Sequence, residues 1–142
     1  MTLSMNASEE IIALLAPPVD ELVYHLDDIA GQIAEAPLET WEATAALWSM
    51  QGADWKSCAS MIIDRLDSAR KAILLREIIV SQAMEDAALA ANLISHIGLG
   101  QIGDWQPLVV TYLERSWQEF PTLRDYIVVC SKAGGLNLQV GA

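Results

Sequence analysis

Apolar residues return at spacings of three and four along most of the chain, and a proline, a glycine or a short polar break repeatedly interrupts the pattern. The clearest stripe is Leu22, Leu26, Ile29 and Ile33, with Val23 and Ala30 alongside and Glu21, His25, Asp27 and Asp28 opposite. It predicts a helix from about residue 20 to 34. An earlier one starts at Asn6, with Glu9 at the capping-box position, and stops before Pro17 and Pro18. Pro37 opens a third, running to Met50 ahead of Gly52, and Asp54 caps a fourth reaching Leu66. A fifth begins near Ser68 and runs beyond Val80, and two readings stay open: one continuous helix, or a division by a weak break at 82–85 from a sixth that ends at Ile97. Asp104 caps the next, to Trp117, and Pro121 opens the last, which ends before Gly134 and Gly135.

Connections of two to six residues favour antiparallel neighbours over long crossovers. The expected fold is therefore all-α, with six to eight helices in antiparallel hairpins, as a compact bundle or a short helical-repeat-like stack. A shift of 50 positions lays Gln51, Asp54, Trp55 and Arg65 on Gln101, Asp104, Trp105 and Arg115, a weak internal echo in keeping with the second form. At 142 residues and 53% apolar, the chain is expected to make one helical domain over 1–133, with 134–142 as a C-terminal tail. Cys58 and Cys130 fall on apolar stripes in no CxxC pattern and read as reduced core thiols. The start, MTLSMNASEE, shows neither the basic nor the apolar part of a leader. The longest uncharged run, 87–103, contains Asn92, Ser95, His96 and three glycines, a poor membrane span. A cytoplasmic location is expected.

Charge is distributed very unevenly. Nineteen acidic residues against eight basic give a net charge of −11, which disfavours direct nucleic-acid binding. Residues 1–55 hold ten of those carboxylates and no Lys or Arg. Arg65, Arg70, Lys71 and Arg76 then cluster in mid-chain. The acidic segment reads either as a solvated face that keeps an apolar chain in solution or as a surface that steers a basic partner.

The motifs associated with chemistry are weak. Gly98–Gly103 spells GLGQIG, but an Ala-rich helical stretch precedes it and Asp104 follows, where a carboxylate would repel phosphate; it reads as a link between helices. Glu21, His25 and Asp28 share one helical face without an ExxH or HExxH pattern. His96 sits in a last helical turn, where it favours the carbonyl end of the dipole. No Ser/His/Asp or Cys/His arrangement is legible. No catalytic residue, cofactor or metal is therefore expected, and the chain reads as a non-enzyme.

Five tryptophans are the most distinctive residues. Trp41, Trp48 and Trp55 lie seven apart and read as core or, if a partner groove exists, as its anchors. After the last helix, Leu136, Leu138 and Val140 alternate with Asn137 and Gln139, a pattern suited to a folded-back terminus or to an arm that docks on a neighbour. Together these features point to a protein-protein interaction module: an adaptor, assembly factor or dedicated chaperone for a helical or extended segment. Its partner is expected to be another protein with a basic or apolar surface, and self-association into a homo-oligomer is expected as well. Asp20, Glu21, Asp27 and Asp28 would steer the encounter. One alternative is an acidic nucleic-acid mimic that inhibits a DNA- or RNA-handling protein through the same carboxylates and Glu35. Another is a metal-dependent or hydrolytic enzyme whose site is dispersed in sequence.

Overall fold

The computed structural model describes residues 9, 11–12, 15, 24–97 and 102–136. Within them the chain is all-α, with seven helices and no strand. They are α1 (Leu26–Glu35), α2 (Leu38–Ala46), α3 (Ala53–Ile63), α4 (Ser68–Ser81), α5 (Ala87–Ile97), α6 (Gln106–Glu119) and α7 (Arg124–Ala133). Single 3₁₀ turns at Trp48–Met50, Met84–Asp86, Gly103–Trp105 and Pro121–Leu123 occupy the connections. Among the described residues no helix is long and apolar enough to cross a membrane. The chain divides into two compact units, Met1–Arg70 and Lys71–Ala142, with the division inside the first turn of α4.

In the first unit α1 starts later than its apolar stripe suggests. His25 is its N-cap residue, with ψ near 12°, so Leu26 is the first helical position and Asp27 and Asp28 lie in the first turn, where the helix dipole favours carboxylates. The stripe itself is used: Leu26, Ile29, Ala30 and Ile33 are all buried, and α1 packs on α3. At the other end Arg70, from the first turn of α4, donates one guanidinium nitrogen to both Ala34 O (3.1 Å) and Ala36 O (3.0 Å). These are carbonyls of the α1 C-terminus, which has no basic residue of its own. The same guanidinium donates to Asp67 Oδ1 at 2.8 Å, and the Arg70 backbone N–H donates to Asp67 Oδ2 at 3.3 Å. Asp67 thus caps α4 while holding the arginine that closes α1.

Gly52, expected to stop a helix, is instead the N-cap of α3 with extended backbone, and Asp54 lies inside the first turn rather than at the cap. The preceding helix ends earlier, at Ala46, and tightens into the Trp48–Met50 turn. In the second unit α4 terminates at Gln82, whose φ of 58° is the left-handed value that non-glycine residues rarely adopt. Trp105 caps α6, Asp104 sits in the turn before it, and Gly103 takes φ 54°. Helix α7 packs against α5. It closes with a Schellman motif: Gly135 N–H donates to Lys132 O and Leu136 N–H to Ser131 O, with Gly135 at φ 86°. The Asp-Trp echo is out of phase in the structure. Arg65 follows the end of α3, whereas Arg115 lies inside α6.

Candidate functional site

Two regions bring chemically expressive side chains together, one in each unit. In the second unit the Gln82–Asp86 connection faces the C-terminal half of α6. Gln82, Met84, Arg115, Gln118 and Glu119 line a cleft of about 640 Å³ there. Its floor is fixed from below. The Tyr112 hydroxyl donates to Ala83 O at 2.6 Å, and Ser116 Oγ lies 2.7 Å from Tyr112 O and 3.2 Å from Met84 Sδ. Tyr112 and Ser116 are completely buried, and Met84 nearly so. Burial pushes the Tyr112 phenol well above its ordinary value, and the charges of Asp86 and Glu85 add to the shift, while the Ser116 hydroxyl opposes it. The phenol therefore stays a neutral donor to the carbonyl at neutral pH.

The lip of the cleft is set by Gln82. Its left-handed backbone costs about 1 kcal/mol or somewhat more. Its side chain offsets part of this: Nε2 donates to Ile79 O at 2.8 Å and Oε1 accepts from Arg115 Nη1 at 3.1 Å. Arg115 is thereby aimed by a neutral amide rather than by a carboxylate. Glu119 stands four residues further along α6, a spacing at which opposite charges commonly meet. Among the described residues no ion pair forms between them.

The first unit holds the tryptophans. Trp41 is 1% and Trp48 2% exposed. Trp41 Nε1 donates to Arg70 O at 2.8 Å. The Trp48 and Trp55 rings meet edge to face with centroids 5.2 Å apart, and Trp55 Nε1 donates to Ile12 O at 3.0 Å. Enclosed rings of this kind spend their area inside the chain; of the three, only Trp55 keeps an accessible part. The outward side of the same region carries Leu38, Glu39, Glu42, Ala43, Ala46 and Met50, all exposed, with Met50 at 76%.

Asp27 is exposed and accepts from Arg65 Nε at 2.9 Å, a solvent-bathed pair of small energetic value. Asp28 is exposed on the same turn. Asp20 and Glu21 lie outside the described residues, as do Leu138, Val140 and most of the GLGQIG segment. Leu136 is described: it is 1% exposed and follows the α7 Schellman turn, where a buried apolar residue completes the cap. His25 precedes α1, so it does not share a helical face with Asp28. Among the described residues no group of three His, Cys, Asp or Glu side chains is placed to hold a metal ion. Cys58 and Cys130 are buried and free. The cleft of the second unit escaped sequence reasoning, because its two ends, Gln82–Met84 and Arg115–Glu119, are some thirty residues apart and carry no motif. The signal that was present was the weak break at 82–85.

No protein-family model, curated protein or solved structure matches the chain.

Proposed function

We propose that this chain is a non-enzymatic protein-binding module of the adaptor, assembly-factor or dedicated-chaperone kind, and that the outward face of α2 receives a basic, amphipathic segment of another protein. The observation that supports this reading is the mixture on that face. Leu38 and Met50 are 40% and 76% exposed among Glu39 and Glu42, and residues 24–55 contain no Lys or Arg. Carboxylates steer a basic segment into encounter, and an apolar side chain that gains cover on docking supplies affinity. Ala43 and Ala46, exposed and between Leu38 and Met50 in sequence, have small side chains that suit a close backbone approach. The anchor is thus Met50 and Leu38 rather than the tryptophans, whose role is to hold the region rigid. A cytoplasmic location, where thiols such as Cys58 and Cys130 stay reduced, belongs to the same reading.

The test compares proteins captured from the host's lysate by the wild type, by Met50→Glu and by Glu42→Lys, with helix content checked by circular dichroism. The expected result is a protein held by the wild type and lost by both variants. An unchanged captured set would overturn the reading. A nucleic-acid-handling protein lost by Glu42→Lys and kept by Met50→Glu would favour an acidic mimic instead, because such a contact depends on charge alone.

A further inference from the structure

We infer that the cleft of the second unit is a binding site for a short zwitterion of dipeptide length, its carboxylate on Arg115 and its ammonium on Glu119. The inference concerns different residues from the α2 face and stands independently of it. At about 640 Å³ the cleft falls within the size range of small-molecule sites. Its two charged lining residues are of opposite sign, lie four residues apart on α6, and do not neutralise one another. Arg115 is held instead by the Gln82 carboxamide at 3.1 Å, a neutral partner that orients the guanidinium without consuming its charge. A guanidinium has five N–H donors and this contact uses one, so a fork remains for a carboxylate.

The support behind that fork is a set of short contacts. Gln82 is locked at φ 58° with its Nε2 on Ile79 O, Met84 is pinned at the floor beside Ser116, and Tyr112 holds the Ala83 carbonyl between them. Backbone strain that surrounding contacts maintain is characteristic of ligand clamps. Glu119 decides the ligand class. A plain anion such as phosphate would meet its repulsion, whereas a molecule carrying a cation at the correct distance gains from it. Four residues of helix rise by about 6 Å, and two extended residues span about 7 Å. A dipeptide is of the order of this backbone spacing, and the titration sets it against a single amino acid.

The experiment follows ¹H–¹⁵N spectra of the full chain during titration with diglycine, glycine, N-acetylglycine and glycinamide. Diglycine is expected to shift the Gln82 and Gln118 carboxamide and Arg115 Nε signals saturably, and to bind at least about tenfold tighter than the other three. Arg115→Gln and Glu119→Gln, both at exposed positions, should each weaken diglycine about tenfold while leaving the remaining backbone spectrum in place. Absence of saturable shifts with diglycine would overturn the inference. So would equal binding of N-acetylglycine, which lacks the ammonium, or undiminished binding by Arg115→Gln.

Discussion

Gly134 shows how one missing carbon sets the distance between two helices. Its φ of −81° is ordinary, so any residue suits its backbone. What it cannot accept is volume. A Cβ placed there would collide with the Ile94 carbonyl oxygen and lie 2.9 Å from Ile94 Cγ2, on the helix against which α7 packs. The obstacle is mainly backbone, which moves only if the α5–α7 contact opens. Gly134→Ala should therefore destabilise the protein by about 1–3 kcal/mol, the usual penalty for overpacking. A urea midpoint indistinguishable from the wild type would show that the two helices separate freely. Gly135 differs, because its φ of 86° is the requirement there. The adjacent glycines thus serve two purposes, close approach and a left-handed turn. The sequence marked them only as a stop.

At the scale of elements, the Asp67–Arg70 pair ties the start of α4 to the end of α1. Burial alone would raise the Asp67 carboxyl, but the Arg70 hydrogen bond and charge, with backbone donors, outweigh it and hold the group below its ordinary 3.8. A depressed folded-state value means that the contribution to stability is complete above 3.8 and is lost as pH falls through the lower folded value. Asp67→Asn should therefore reduce stability at neutral pH and flatten its acid dependence. Urea midpoints measured from about pH 6 down to about pH 2 should converge for the two proteins as Asp67 takes up its proton. Parallel curves would remove Asp67 from the account. This element also shows where sequence reading ends. Periodicity placed the helices, because every buried stripe must repeat at 3.6 residues whatever it packs against. Caps were harder: Asp54 and Asp104 carry the preferred residue type at a helix start, yet Gly52 and Trp105 occupy the cap positions. An aspartate caps only if the chain before it turns at that residue, and that turn is decided by packing. The cleft was illegible for a related reason, since nothing local tells that Gln82 reaches Arg115.

Across the whole molecule the dominant asymmetry is charge. The first unit has twelve carboxylates against three basic side chains, the second seven against five. One basic group of the first unit, Arg70, is committed to Asp67 and two carbonyls, and Arg65 offsets Asp27 in solvent. Glu35 and Glu42 are exposed and have no ion pair among the described residues. Glu35 also ends α1, where the helix dipole opposes a carboxylate. Mutual repulsion should then lower stability at low ionic strength, and salt should restore it as the screening length falls from about 30 Å at about 0.01 M to about 8 Å at about 0.15 M. Glu35→Gln/Glu42→Gln is expected to raise the urea midpoint at low salt and to change it little at high salt. The comparison bears on purpose as well as on stability. Carboxylates whose neutralisation strengthens the fold but abolishes capture of a partner are kept for binding. Carboxylates whose neutralisation strengthens the fold and leaves capture intact would reduce the acidic segment to a solvated surface, and the α2 face would then have to bind through Leu38 and Met50 alone.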